Sequence, residues 1–195
     1  MIPERAMAPS PDEQRTEGLF ADYGRLVDKV DQHAARVHEE HAERLACAAG
    51  CTGCCHRDLT VFPIEAARIR SWLDGRTLEP VTVPRPGAAT LQLLELGDAP
   101  TPCAMLGADG LCRIYPVRPL ICRTHGMPLA VEDDEGLYAD VCPLSFEGGA
   151  GLADLEQADF LVVGTLNTIL AAVNAAYVEA TDADPERVSL RALTR

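Results

Sequence analysis

Eight cysteines fall in two groups, and the first is dense. Residues 47–56 read CAAGCTGCCH, which sets Cys47, Cys51, Cys54 and Cys55 in a C-x3-C-x2-C-C run with His56 directly behind. The other four are Cys103, Cys112, Cys122 and Cys142. Thiolate is a strong soft ligand, and two sulfurs in C-x2-C can reach one metal from a single turn. Thiols this dense either pair as disulfides or bind a soft metal, and the compartment decides between them. The stretch MIPERAMAPSPDEQRTEG has prolines and mixed charge but no apolar run, so it does not read as a secretory signal. The expected setting is the reducing cytoplasm, where metal binding is the stronger explanation.

Cys54 and Cys55 are adjacent, and neighbouring side chains point apart in a helix or a strand. They are poorly placed to share one tetrahedral ion and better placed to serve two sites, or two corners of a cluster. Eight thiols match two four-cysteine sites, or one cluster and a second metal. Spacing leaves that partition open, and leaves zinc and iron both open. Gly50 and Gly53 between the cysteines allow tight turns that let sulfurs converge. Four further residues are candidates for a ligand or for the shell around one. His56 follows Cys55, and His125 follows Cys122 by three. Arg118 and Arg123 flank Cys122, and guanidinium groups there would offset the negative charge of a thiolate-bound metal. His41 falls on an apolar helical stripe and reads as a core histidine.

The segment CTGCC at 51–55, the following LTVFPIEAARI, and above all GLCRIYPVRPLICR at 110–123 resemble the zinc- or iron-chelating CxxCxxCC family. The resemblance covers roughly residues 47–142. It differs in the first gap, where three residues separate Cys47 from Cys51, and at Thr124-His125, where many relatives carry an aromatic. The resemblance implies that all eight cysteines serve metal, and it tips the choice slightly toward iron or an iron–sulfur cluster, with zinc the alternative. A similar cysteine module occurs in flagellin lysine methylases, which are thought to use an iron–sulfur cluster; the remainder of those proteins has no match here. The family's activity is undefined, so the resemblance names a metal module rather than a reaction.

Other chemistry lacks its signatures. There is no Gly-rich phosphate loop, no G-x-S-x-G, no H-E-x-x-H and no dinucleotide fingerprint. A formal net charge of -13 disfavours nucleic acid and anionic membrane surfaces as partners. Phe160 to Val178 carries no charge, but asparagine, threonine and glycine interrupt it and acidic residues flank it, so it reads as a buried or self-associating helix rather than a span.

The elements that must hold these residues are mainly helical. The expected fold class is α+β, mainly helical with short irregular strands: a small cysteine-rich metal-binding module between long N- and C-terminal helices. Residues 1–15 are expected to be disordered, 16–46 an N-terminal helix, 47–146 the module, and 147–195 a linker with C-terminal helices, all in one domain. Leu19, Tyr23, Leu26, Val30, Val37 and Leu45 recur at helical spacing. Pro63 to Leu73 predicts a second helix, opened by proline and stopped near Gly75. Short strands are expected at Leu91–Leu96, Leu111–Tyr115, Pro128–Glu132 and Leu137–Val141, the last two joined through Asp133-Asp134-Glu135-Gly136. Asp154 with Gln157 reads as the capped start of a helix to about Ala180, and Pro185 as the start of a short terminal helix. That long helix is apolar nearly all round, which suggests a homodimer contact.

Overall fold

The computed structural model describes residues 10–83, 85–96 and 100–194. Its first element is α1, Pro11–His41, which starts earlier than its apolar stripe suggests. The Ser10 hydroxyl accepts a hydrogen bond from the Glu13 N–H at 3.2 Å, and the Glu13 carboxylate accepts from the Ser10 N–H at 2.6 Å. With Pro11 at the first helical position, this reciprocal cap fixes the start among polar residues. Residues 11–15 are therefore helical rather than disordered, while 1–9 lie outside the described residues. α1 ends at His41, short of Ala46. A 3-10 turn at Ala42–Arg44 and an extended Leu45 then carry the chain toward Cys47.

α2 spans Pro63–Leu73 as the sequence predicts, and Asp74 ends it in the left-handed conformation at φ 48°. Its start is held from across the fold. The Ile64 N–H donates to Asn174 Oδ1 at 3.2 Å, and the Phe62 N–H to Glu65 Oε2 at 3.0 Å. β1 (Thr60–Val61), just before α2, pairs antiparallel with β5 (Val188–Ser189) and ties the C-terminal segment to the module.

β2 (Leu129–Asp133) and β3 (Gly136–Asp140) form the expected hairpin, with Asp133 opposite Gly136. β4 (Leu161–Val162) adds to β2 in parallel, so the sheet order is β3-β2-β4. Two other expected strands are absent. Residues Ala88–Leu93 form a short helix, α3, where Gly87 and two alanines precede an apolar run without strand alternation. Around Cys112 only a single bridge forms, Leu106 with Cys112, and a 3-10 turn at Tyr115–Val117 follows. Pro116 and Pro119 lack the N–H a ladder needs and fix φ. The short helix α4, Leu120–Thr124, comes next.

The C-terminal helix also starts later than the sequence suggests. Residues 146–154 and 157–159 form 3-10 turns, and α5 runs Val163–Thr181. Asp154 does not cap it. Asp159 instead accepts the Glu156 N–H at 2.9 Å and an ion pair from Arg36 at 2.8 Å, which draws this stretch onto α1. Pro185 starts no helix; β5 and a 3-10 turn at Leu190–Thr194 end the chain.

Two apolar clusters hold this arrangement. One joins α1, α4 and α5 through Tyr23, Leu26, Val30, Val37, Leu120, Phe146, Leu161 and Leu170. The other joins α2 to the 103–117 loop and the C-terminal turn through Val61, Ile69, Met105, Ile114, Val117 and Leu190. The cysteines lie between the two, in loops and short helical turns, with Cys122 in α4. The fold is mainly helical α+β with small sheets, as the sequence predicts. No helix of the described residues is long and apolar enough to cross a membrane.

Candidate metal centre

The first cysteine group is built from two tight turns. The Cys51 N–H donates to Ala48 O at 3.0 Å, and the Cys55 N–H to Thr52 O at 2.9 Å. A 3-10 turn, Gly53–His56, carries Cys54 and Cys55. Gly53 has no room for a side chain, because a Cβ there would overlap the Leu94 side chain. The two groups are joined by backbone: the Cys103 N–H donates to Cys55 O at 2.7 Å. The Gly107–Leu111 turn returns the chain to Cys112 beside Cys103, and α4 presents Cys122 after the prolines.

Cys47 enters against Gly126. That glycine has φ 88°, and a Cβ on it would overlap the Cys47 sulfur. Cys47 Sγ lies 3.7 Å from His125 O. Cys142 lies two residues past the end of β3 and opens a turn in which the Ser145 N–H donates to Cys142 O at 2.8 Å. Fully buried Ser145 also accepts the Ala46 N–H at 3.1 Å, locking the turn of Cys142 to the residue before Cys47. Ser145 gave no signal in the sequence, because a serine in a loop is ordinary.

All eight thiols are free and half-buried. Cys47, Cys51, Cys54, Cys55, Cys103, Cys112 and Cys122 line one cavity of about 760 Å³, together with Arg118 and His125. Cys142 stands outside its lining but acts electrostatically on Cys47. The sulfurs are spread round the wall rather than drawn to one point. Among the described residues, the one trio of ligand atoms all within 4.8 Å of one another is Glu40, His41 and Asp159. Arg36 already pairs with both of those carboxylates, at 2.5 Å and 2.8 Å. That trio is an ion-pair network clamping the 157–159 turn to α1.

The thiols act on one another. Cys47 donates a hydrogen bond to Cys51, which raises the first and lowers the second to about 6. Cys55 does the same to Cys54, so Cys55 is raised and Cys54 lowered. Burial pushes Cys103, Cys112 and Cys142 up, and Cys122 up to about 12. Cys142 feels Cys51 and Cys54, Cys55 feels Cys54 first and then Cys103 and Cys112, and Cys122 feels Cys103, Cys112 and Cys54.

The two arginines differ. Arg118 lowers the pKa values of Cys54, Cys112 and Cys122. Its guanidinium carbon stacks 3.8 Å from the Tyr115 ring centroid, and its buried Nε has no hydrogen-bond partner. Arg123 also lines the cavity, but its donors are taken up elsewhere. It pairs with Asp31 on α1 at 2.5 Å and donates to Arg118 O and Pro116 O, both at 2.8 Å. The histidines differ too. His125 lines the cavity, and burial lowers its pKa, with Arg57 adding to the effect. His56 is buried outside the lining; Nδ1 lies 2.9 Å from Thr52 O, and Nε2 has no partner. His41 sits 3.5 Å from Asp159 Oδ2 and packs edge-on to Phe146, as a core histidine would.

This donor set fits a thiophilic metal. Free thiols line one cavity, a glycine cradles the sulfur of Cys47, and Arg118, whose Nε has no hydrogen-bond partner, lines the same cavity. The class these features define is a cysteine-rich metal-binding domain set in a helical frame. One family model, described as "Putative zinc- or iron-chelating domain" (CxxCxxCC), matches residues 46–143. The match spans half the chain, and the protein belongs to that family. No curated protein and no solved structure matched the chain.

Proposed function

We propose that this protein is a cytoplasmic, single-domain metal carrier or metal-dependent factor that holds iron, as an iron–sulfur cluster or clusters, through its eight cysteines. Zinc is the alternative. The observation that carries the reading is the single cavity walled by seven of the eight cysteines. The cavity, about 760 Å³, has room for a cluster as well as for zinc. Cys54 acts on Cys47 and Cys142 and equally on Cys55, Cys103, Cys112 and Cys122, so the eight thiols form one connected group. Bound iron–sulfur would supply electron transfer or Lewis acidity there. The chain's own contribution is to fix the sulfurs and to oppose their charge with Arg118. Metal ions are the partners this reading requires; nucleic acid and membrane are not among them, and self-association through α5 is.

Anaerobic purification followed by iron, zinc and acid-labile sulfide analysis tests this. Brown protein with broad visible absorbance and stoichiometric sulfide is the expected result. Colourless protein with stoichiometric zinc would replace iron with zinc, and protein without either metal after reconstitution would end the proposal. A second reading, an enzyme with an open coordination position, is favoured at His125 over His56, because only His125 lines the cavity.

A further inference from the structure

Residues 124–186 hold thirteen Asp and Glu and no Lys or Arg, so they account for the whole net charge of -13. Within this segment lies an open strand edge. β3 (Gly136–Asp140) is the last strand in the order β3-β2-β4, and all five of its residues are exposed. Leu137 is 72% exposed and Tyr138 47%. Asp133 pairs with Gly136 across a two-residue loop. Such a flanking pair exchanges both backbone bonds, and alternation then turns the N–H and C=O of Leu137 and Ala139 outward. Acidic groups stand at both ends of this edge: Glu132 to Glu135 at the turn, and Asp140 at the base.

An edge with free backbone groups is a template for another strand. A second copy of this chain is a poor occupant. Antiparallel pairing of β3 with itself would bring the acidic turn of each copy beside Asp140 of the other, and like charges opposed across strands destabilise the pair. Nucleic acid is repelled by the same charge. We propose that the outer edge of β3 docks an extended basic peptide segment of another protein. It carries Lys or Arg at both ends of the paired stretch and apolar side chains in the middle. The ends meet the acidic turn and Asp140, the middle covers Leu137 and Tyr138, and its backbone pairs with Leu137 and Ala139. The site is separate from the metal reading, although β3 ends two residues before Cys142.

The probe is the synthetic peptide Lys-Arg-Val-Thr-Val-Arg-Lys, titrated into the full-length purified protein, with metal content measured alongside. The expected result is saturable binding that weakens as salt rises. Hydrogen exchange at Leu137 and Ala139 should slow several-fold when the peptide is bound. The double variant Asp134→Lys, Glu135→Lys should weaken binding roughly tenfold, with metal content unchanged. A version of the peptide N-methylated at alternate residues keeps its charge and should lose the protection at Leu137 and Ala139. Equal binding of that version, or binding without protection of β3, would reduce the effect to charge alone and overturn the docking strand. No binding at low salt would overturn it as well, leaving the acids as guards of the edge against aggregation.

Discussion

Arg118 and Arg123 are five residues apart in the same arginine-proline-cysteine stretch, and their surroundings give them opposite roles. Arg123 is 7% exposed at its side chain and spends its donors on Asp31, Arg118 O and Pro116 O. Arg123→Ala should cost about 1–3 kcal/mol of stability, by removing the donor from two partly buried carbonyls and breaking a half-buried ion pair. Urea unfolding of the metal-loaded protein measures it. Arg118 Nε has no partner among the described residues, and the guanidinium instead favours thiolates at Cys54, Cys112 and Cys122. Arg118→Ala should leave the urea midpoint nearly unchanged and weaken metal retention against a competing chelator. A large loss of stability with normal metal retention would reverse the assignment. Gly126 gives a second test at this scale. Gly126→Ala forces a strained φ and a Cβ into the Cys47 sulfur. It should cost on the order of 1–3 kcal/mol and lower the metal content. Full metal content in this variant would remove Cys47 from the ligands.

At the scale of elements, α1 is the frame and Asp159 is the clamp that holds the C-terminal segment to it. Burial alone would raise the Asp159 pKa, but the bonds from Arg36 and from the Glu156 N–H outweigh that and hold it below its usual value. A carboxyl depressed in the folded state adds stability above its unfolded pKa, and that stability is lost as pH falls through the folded value. The clamp should therefore loosen only in acid, below about pH 4. Asp159→Asn should lower the melting temperature near neutral pH and flatten its fall between about pH 5 and about pH 3. Equal slopes in both proteins would count against the clamp. The same residue shows where local sequence signals stop. The Pro63–Leu73 helix and the hairpin at Asp133–Gly136 were legible because proline, turn residues and apolar spacing act within a few positions. So was the gathering of the cysteines as a set, from their types and spacing. The late start of α5 was not, because it depends on Arg36 lying opposite Asp159 and on Ala130 pairing with Val162. Nor were the holds on α2 and Cys142, since Asn174 and Ser145 act on backbone groups far away in sequence.

For the whole molecule, the two apolar clusters meet around loops that carry little core of their own. Within the short helix α3 no residue is fully buried, and Leu94 just after it is one of the few apolar anchors between Leu73 and Met105. Bound metal would supply what those loops lack. Structural zinc contributes about 10–16 kcal/mol in small modules, comparable with the stability of a whole domain. Stripping the metal with a strong chelator should speed hydrogen exchange at 47–56 and 103–125 first, while α1 and α5 stay protected by their mutual packing. Uniform loss of protection along the chain, or none, would contradict this. The outer face of α5 is the other matter decided at this scale. Leu170 and Asn174 are buried, and Leu166 packs against the larger cluster with α1. The opposite face is mild, with Thr165, Thr168 and Ala172 exposed and Ile169 42% exposed. Two substitutions on one helix thus separate folding from association. Leu166→Asp should destabilise the fold by about 3 kcal/mol or more, since it places a charge against an apolar core. Ile169→Asp should leave the monomer's stability within about 0.5 kcal/mol, as exposed substitutions do. If copies pair through this face, Ile169→Asp shifts the sedimentation of the protein to that of a monomer at concentrations where the wild type is a dimer. A wild type that sediments as a monomer across a wide concentration range removes the dimer, and the small exposed residues of α5 are then simply its solvent face.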